Sequence, residues 1–224
     1  IDQFANKAVL HAVLSMDKIK HIKYTPLTYI LNNKIDFSNL LNEFDESKLY
    51  ILKKNIQRQK GCTITNNIDY ITTALQNKYV VCQELLQNPF LIRGHKINIR
   101  CYMVIIVKKK VKFALYNNGF MYYTPKKFVK DSIDKDRHIT TGYIDRSIYE
   151  KNPLTIKDLY NHLGGGRART LQTNITEMFR YVAKAYEPLI LKYDSNKHVN
   201  FVILGCDVAV DDRLGCKIME INKG

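Results

Sequence analysis

The chain has 224 residues, enough for one large domain or two small ones with a substantial core. No apolar run approaches the roughly 18 to 20 residues that span a bilayer, and no signal peptide is visible, which argues against an integral membrane protein. The net charge of +14 favours an acidic partner: nucleic acid, an anionic membrane surface, a polyacidic protein tail or phosphates. A basic, soluble surface gives the same charge.

Cysteine and histidine usage argues against disulfide and zinc frameworks. The five cysteines lack C-x-x-C spacing, and the six histidines lack the spacing of metal ligands. That pattern indicates reduced, packed thiols in a cytosolic-type compartment. Because the sequence opens at Ile1 without a methionine and stops two residues after Asn222, we expect a fragment cut at both ends.

The first part of the chain is predicted to contain short helices and strands. Apolar spacing and turn residues mark their limits. In chain order, the patterns predict a helix within residues 1–24, a helix over Phe37–Phe44, a strand at Leu49–Leu52, a basic loop over Lys53–Gly61, a strand at Cys62–Ile64, a helix over Ile68–Gln76 capped by Asn66 or Asn67, and a strand at Tyr79–Gln83.

The second part is richer in strands. In chain order, the patterns predict a long strand over Ile97–Val107, its partner over Val111–Tyr116, a turn at Asn117–Gly119, a strand at Phe120–Tyr123, an irregular segment over residues 125–150, a helix over Ile156–His162, a glycine-rich stop at Gly164–Gly166, and a helix from Thr173 that Pro188 interrupts. Because strands and helices do not alternate regularly, the predicted class is α+β with largely antiparallel sheet.

The last residues are predicted to form a hairpin. Phe201–Val210 and Cys216–Asn222 are strand-like, and Asp211–Gly215 forms the turn between them. If the last four turn residues form the loop, Asp211 faces Cys216, and Asp207 lies opposite Glu220.

The predicted register places three oxygen ligands on one face, because side chains alternate along a strand. These are Asp207, Glu220 and Asn222. Two opposed carboxylates repel each other unless a cation lies between them, and a carboxylate pair with an amide oxygen suits Mg²⁺. A solvated hairpin face is the alternative interpretation.

A polar face is predicted on the long strand. Lys96, Asn98 and Arg100 alternate with apolar residues, and the strand continues through Tyr102–Val107, which we expect to be buried on both faces. Charge that faces inward on such a strand needs a ligand or a partner. The alternative interpretation is that these three polar residues face solvent.

Two loops have the composition of anion sites. The loop Lys53–Gly61 carries Lys53, Lys54, Arg58 and Lys60, which fits a phosphate cradle or an ordinary basic loop. Gly164–Arg169, just before a helix, fits an anion-binding turn or a helix stop followed by a connector.

Five ordered motifs resemble the tubulin tyrosine ligase and tubulin tyrosine ligase-like enzymes, which have the ATP-grasp fold. The resemblance covers roughly residues 26–224. Its motifs are Tyr50–Gly61 (strand, nucleotide lysine and phosphate loop), Val81–Ile92 (adenine hinge), Gly94–Arg100 (a G-x-K-F-D-x-R element), His138–Thr141 (an H-L-T-N element), and Asp207 through Glu220 to Asn222 (the closing metal motif).

The resemblance implies an α+β ATP-grasp fold in which two lobes with largely antiparallel sheets enclose a nucleotide cleft. The implied boundaries are residues 1–48 for the remnant of an N-terminal region and linker, residues 49–93 for the central lobe and residues 94–224 for the C-terminal lobe. A structure with Lys53 far from Asp207 would contradict this expectation.

The resemblance also implies residue roles. The phosphates of ATP would contact Lys53 and Lys60, and its adenine would meet the strand end Gln83–Glu84–Leu85. Lys96 would also contact the base, Asn98 and Thr140 would face the ribose, and His138 would lie nearby. Arg100 and Glu220 would be catalytic, Arg100 by steadying the γ-phosphate. The Mg²⁺ ligands would be Asp207, Glu220 and Asn222.

The implied reaction is ATP-dependent ligation of an amino acid to a protein through an acyl phosphate. The implied partners are a free amino acid and an acidic protein, with the tubulin tail the leading target. Nucleic acid and membrane are not expected as partners, and we expect a cytoplasmic, cytoskeleton-associated monomer.

Three positions depart from the family pattern. They are Asn98, Thr141 and Tyr122, and Tyr122 stands where the family often has an arginine. Arg167 or Arg169 could supply the missing cation. The alternative function is therefore a catalytically impaired ATP-grasp protein that binds microtubules or nucleic acid through its basic surface.

Overall fold

A computed structural model of the chain describes residues 6–56, 61–192 and 198–223. The helices are α1 (Lys7–Leu14), α2 (Lys18–Tyr24), α3 (Lys34–Glu43), α4 (Ile68–Thr72), α5 (Ile156–Leu163) and α6 (Gly165–Leu191). The strands are β1 (Thr28–Ile30), β2 (Tyr50–Lys53), β3 (Cys62–Thr65), β4 (Val81–Glu84), β5 (Leu91–Ile92), β6 (His95–Lys108), β7 (Lys110–Tyr123), β8 (Asn200–Val210) and β9 (Cys216–Lys223). The α+β class with antiparallel sheets is confirmed.

The first sheet has the strand order β1-β4-β2-β3, and its pairs are all antiparallel. Alternation along β2 places Tyr50 and Leu52 in a core cluster with residues of α3 and α4. Ile51 and Lys53 therefore lie on the opposite face, where Ile51 packs with Leu85. The alternation directs a lysine away from the helices that cover this sheet.

The second sheet has the strand order β5-β6-β8-β9, with β7 also paired to β6. One face is covered by α5 and α6, because buried residues of β6, β8 and β9 share a cluster with Leu159, Met178 and Val182. The polar residues of β6 consequently lie on the other face. The described helices include none that is long and apolar enough to cross a membrane.

The N-terminal helices pack against the second sheet and α6. Leu10 and Leu14 of α1 are buried in the cluster of the second sheet, and the Tyr181 hydroxyl of α6 donates to the Leu14 carbonyl. The predicted single helix over residues 1–24 is in fact two, because Asp17 caps the start of α2. Residues 1–5 lie outside the described part.

The predicted turn at Asn117–Gly119 is wrong, because β7 runs without a break through it. The pairing with β6 shifts between Cys101 and Met103, and this irregularity absorbs the extra residues. A Cβ on Gly119 would lie 2.1 Å from the Arg100 carbonyl oxygen. The glycine therefore permits close approach of two strands rather than a turn.

Several predicted helix limits also differ. The last long helix begins at Gly165, with Gly164 at a positive φ of 68°, rather than at Thr173. Pro188 lies inside this helix near its C-terminal end, where the missing amide removes one bond without stopping the final turn. Helix α3 begins at Lys34 under the Asn33 cap, and α4 ends at Thr72. The short strands β1 and β5 were not predicted.

The prediction that Tyr102–Val107 is buried on both faces is wrong. Only alternate residues are buried, and Ile106 is exposed together with its neighbours Phe201 and Ile203 on β8. Helices cover one face of the sheet here, and the other face carries exposed apolar side chains in the described chain.

Candidate active site

A cavity of about 780 Å³ has residues of both sheets in its wall. Helix α1 and the irregular segment that follows β7 also contribute. Most of the predicted site residues line it together: Lys53, Leu85, Lys96, Asn98, Arg100, His138, Thr140, Asp207, Glu220 and Asn222. The structure therefore brings residues from widely separated motifs to one place, and Lys53 shares this cavity with Asp207.

The β8–β9 hairpin places Asp207 opposite Glu220, as predicted, but by a different route. Val210 rather than Asp211 pairs with Cys216, and the pairing shifts by one residue next to Asp207, which leaves Met219 as the extra residue. Without this bulge Asp207 would face Met219, and Glu220 would point to the opposite face of the sheet. The bulge thus positions the second carboxylate in the cavity.

Asp207 forms a bidentate ion pair with Arg100. The Arg100 Nε and Nη2 atoms donate to the two carboxylate oxygens at 2.6 and 3.1 Å. The guanidinium also lies 5.1 Å from the centre of the Tyr122 ring. Burial raises the pKa of Asp207, and the nearby guanidinium opposes that shift.

Glu220 is paired with Lys7 of α1. Their Nζ and Oε1 atoms are 3.1 Å apart, and the two side chains are 8% and 29% exposed. The Lys7 ammonium is also 3.4 Å from the Ile56 carbonyl oxygen. Each of the two opposed carboxylates therefore has its own basic partner, which relieves their mutual repulsion.

Two lysines face the cavity without a carboxylate partner. Lys53 and Lys96 are buried, and among the described residues neither forms an ion pair. The Lys53 ammonium donates to the Gln83 Oε1 atom at 2.6 Å. Burial lowers the pKa of both lysines, to about 8 for Lys96, where the charge of Lys53 contributes. Two buried cations beside a cavity favour an anionic ligand.

Asn98 and His138 have different environments in the same wall. The Asn98 Oδ1 atom is buried and has no hydrogen-bond partner among the described residues, which suits contact with a polar ligand. The His138 ring instead contacts the Ser132 carbonyl through Nε2 and the Phe128 ring edge. Burial lowers the pKa of His138, so a neutral, structurally fixed ring is expected.

The strand end predicted to meet adenine is engaged within the protein. The amides of Glu84 and Leu85 donate to the carbonyls of Leu27 and Leu49, each at 2.9 Å. The Glu84 carboxylate lies 3.2 Å from the Lys48 ammonium, and Leu85 lines the cavity. A base at this edge would have to compete with these bonds.

The predicted phosphate loop is only partly described. Lys60 and Arg58 lie outside the described residues. Lys54 lies over the Tyr79 ring at 4.9 Å, and its amide donates to the Gly61 carbonyl at 2.7 Å. Lys53 is therefore the cation of this loop that the structure places in the cavity wall.

The donor set fits a hard cation and a polyphosphate. Within the described ranges no three histidine, cysteine, aspartate or glutamate side chains converge, and the metal set of Asp207, Glu220 and the amide of Asn222 stays a prediction. Oxygen donors of this kind suit Mg²⁺, which usually keeps few protein ligands and completes its shell with phosphate and water. Lys53 and Lys96, which form no ion pair among the described residues, fit the phosphates or another anionic ligand.

Comparison with known proteins identifies the family. The family model described as the Tubulin-tyrosine ligase family matches residues 3–224. The chain belongs to the tubulin-tyrosine ligase family.

Curated relatives are similar at low identity. They include the probable tubulin polyglutamylase TTLL9 of Bos taurus (23% identical over 75% of this chain and 38% of the relative), the tubulin polyglutamylase TTLL7 of Homo sapiens (23%, 93% and 27%) and the inactive polyglycylase TTLL10 of Homo sapiens (22%, 89% and 34%). The chain thus spans about a quarter to two fifths of the length of these relatives.

The structure adds residues that the motifs of the tubulin-tyrosine ligase family did not reveal. Lys7 and His11 reach the site from α1, one helical turn apart. Both interrupt an otherwise apolar stripe that includes Leu10 and Leu14, and a polar residue in a buried stripe could have been noticed in the sequence. Of the two suggested substitute arginines, Arg167 packs over the Phe90 ring instead, 5.6 Å from its centre.

Proposed function

We propose that this member of the tubulin-tyrosine ligase family is an ATP-dependent ligase that joins an amino acid to an acidic protein tail. Tubulin is the leading target. The observation that supports it is that one cavity is lined by an opposed carboxylate pair and by two buried lysines that form no ion pair with any described residue. Such a wall suits a magnesium-bound polyphosphate better than a neutral ligand.

The proposed nucleotide site uses the residues of this cavity. Lys53 holds the α- and β-phosphates, Lys96 contacts the base, and Asn98 and Thr140 face the ribose. Mg²⁺, when held by Asp207, Glu220 and Asn222, supplies positive charge against the phosphate oxygens. Arg100, which is paired with Asp207, steadies the γ-phosphate in this proposal.

The proposed reaction has two steps. A substrate carboxylate attacks the γ-phosphorus of ATP, which gives an acyl phosphate and ADP. The amine of the second substrate then attacks the acyl carbon, the C–N bond forms, phosphate leaves, and the amine loses a proton. The residues contribute chiefly by positioning the reactants and by offsetting charge.

The partners follow from charge and family. A chain of net charge +14 suits an acidic protein tail, and two of the relatives are named as tubulin polyglutamylases. We accordingly propose a free amino acid as co-substrate and a cytoplasmic, cytoskeleton-associated protein that acts as a monomer.

A second candidate is a catalytically impaired binding module. Tyr122 occupies the position where the family often has an arginine and stacks on Arg100, and one relative carries the name inactive polyglycylase. This protein would bind microtubules or nucleic acid through its basic surface without ligation.

Thermal unfolding with different ligands separates the two candidates. Mg-ATP should raise the midpoint for the ligase, whereas polynucleotide should not. Mass spectrometry of tubulin incubated with the protein, ATP and mixed amino acids should then show an added residue. Salt-sensitive polynucleotide binding without any effect of Mg-ATP would favour the module and contradict the ligase.

A further inference from the structure

A buried hydrogen-bonded chain connects helix α1 to the nucleotide lysine. The Gln83 Oε1 atom accepts from the Lys53 ammonium at 2.6 Å. The Gln83 Nε2 atom lies 3.1 Å from the His11 Nε2 atom and 2.8 Å from the Thr28 hydroxyl oxygen. His11, Gln83 and Lys53 are all buried, so water does not compete for these bonds.

The donors and acceptors allow one arrangement. The Lys53 ammonium is only a donor, so the Gln83 oxygen must face it. The Gln83 amino group then faces His11 and Thr28, and His11 must accept through Nε2. The ring proton consequently lies on Nδ1. Burial, with the charge of Lys53, lowers the pKa of His11 to about 3, which keeps the ring neutral and able to accept.

The other ring nitrogen bears on why an imidazole occupies this position. Within the described chain, the His11 Nδ1 atom is buried without a hydrogen-bond partner. A buried N–H group without a partner destabilises a fold, so a purely apolar ring would pack here with less penalty. The polar contact that explains an imidazole at this position is the one to Gln83.

We propose that His11 is a positioning residue for the nucleotide lysine, acting through Gln83. The proposal rests on the function proposed above. If Nε2 cannot accept, the Gln83 amide keeps the Thr28 hydroxyl as a partner. A hydroxyl can accept or donate, so it does not fix the orientation of the amide, which can then place its amino group against the Lys53 ammonium, where two donors repel each other. Lys53 then leaves its place in the cavity wall, and the site binds an anionic ligand more weakly.

Mg-ATP affinity, measured by calorimetry on the whole chain, tests this role. His11→Phe fills the space without an acceptor and should raise the dissociation constant roughly tenfold. His11→Gln offers an acceptor oxygen and should retain most of the affinity. Val13→Ala, a packing change on the same buried helix, should lower the unfolding midpoint without changing the dissociation constant. If His11→Phe does not fold, the comparison of His11→Gln with Val13→Ala still tests the proposal. If both variants lose Mg-ATP affinity in proportion to their loss of stability, the positioning role is overturned.

Double substitution shows whether His11 acts through Gln83. Gln83→Leu alone and Gln83→Leu with His11→Phe should have the same dissociation constant, because the second change has no further link to break. Additive losses would overturn the proposal. Nitrogen NMR of the free protein should show the neutral tautomer with its proton on Nδ1, and a proton on Nε2 would also overturn it.

The outcomes separate the two levels of inference. If the unaltered chain does not bind Mg-ATP, the proposed function fails and the role of His11 fails with it. If the unaltered chain binds Mg-ATP and His11→Phe binds it equally well, only the role of His11 is wrong.

Discussion

Lys7 and Glu220 form an ion pair in the cavity, with Nζ and Oε1 3.1 Å apart. The pair joins the first described helix to the last strand, and it occupies one of the two carboxylates predicted to bind metal. A cation that binds Glu220 must therefore share or displace the Lys7 ammonium. Replacing Glu220 consequently affects both the stability of the folded protein, through the lost pair with Lys7, and the proposed chemistry.

Glu220→Gln should leave the protein folded and reduce ligation by roughly a hundredfold or more, because the loss of a few kcal/mol of transition-state stabilisation has that effect on a rate. The amide keeps the shape but removes the charge that would hold Mg²⁺. ATP turnover measures the loss of activity, and the unfolding midpoint shows that the protein is still folded. Glu150→Gln changes an exposed carboxylate and should alter neither. Near-normal turnover in Glu220→Gln would show that the hairpin carboxylates are structural.

Mg-ATP affinity should fall as the pH rises above about 8. The pKa of Lys96 is lowered to about 8 by burial and by Lys53. Lys96 is proposed to contact the base, but the polyphosphate of the same nucleotide lies in the same cavity and favours the charged lysine. The complex thus holds more protons than the free protein above this pH, and binding weakens by up to about tenfold per pH unit. Calorimetry between pH 7 and 9.5 measures the dependence.

The matched variants isolate Lys96 from other groups. Lys96→Met should remove the part of the dependence with a midpoint near pH 8, whereas the exposed Lys112→Met should retain it. A flat profile of Mg-ATP binding against pH would contradict the lowered pKa of Lys96.

The effect of Lys96 on folding has the opposite sign. Between about pH 8 and the ordinary pKa of 10.5 the unfolded chain holds more protons than the folded chain, so Lys96 makes unfolding less favourable as the pH rises.

Gly119→Ala should destabilise the protein by about 1 to 3 kcal/mol or more, the usual range for overpacking. Its Cβ would lie 2.1 Å from the Arg100 carbonyl oxygen and 2.9 Å from the Ile156 Cδ1 atom. Gly166→Ala is the control, since a Cβ there meets nothing within 4 Å, and alanine favours a helix by about 0.5 to 1 kcal/mol. Urea unfolding should therefore give shifts of opposite sign, and equal shifts would be inconsistent with the close strand approach.

Lys217→Met should destabilise the protein by about 1 to 3 kcal/mol without changing Mg-ATP affinity. The Lys217 ammonium donates to the carbonyls of Ile22 and Thr25 at 2.8 and 2.9 Å, at the end of α2, and hydrogen bonds to a charged group contribute in this range. Urea unfolding and calorimetry measure the two quantities. The exposed Lys157→Met should change neither, and a loss of affinity in Lys217→Met would place this lysine in the site.

Local pattern predicted the parts of the site that depend on alternation. The position of Lys53 at the end of a short buried strand, and the polar row that includes Lys96 and Arg100, follow from the side-chain period within a strand. The ordered motifs correctly indicated the family.

Other features depend on tertiary contacts that local pattern does not report. Asn117–Gly119 has the composition of a turn, but pairing with β6 keeps it extended. The bulge at Met219 has no marker in the sequence, and the correct facing of Glu220 was inferred from a wrong loop length. Lys7 reaches the cavity, and His11 reaches the Gln83 side chain, only because α1 packs against the second sheet, a contact between distant parts of the chain.

The docking of both N-terminal helices has a consequence for the order of assembly. Lys7 pairs with Glu220, and Lys217 donates to the end of α2, so both helices depend on β9, which is synthesised long after them. Contacts over such separations form slowly during folding. During synthesis the first sheet can form early, whereas the cavity closes only after β9 emerges. A nascent chain that stalls before β9 would lack the β9 contacts of α1, and α6 would have to cover the apolar side of that helix without them.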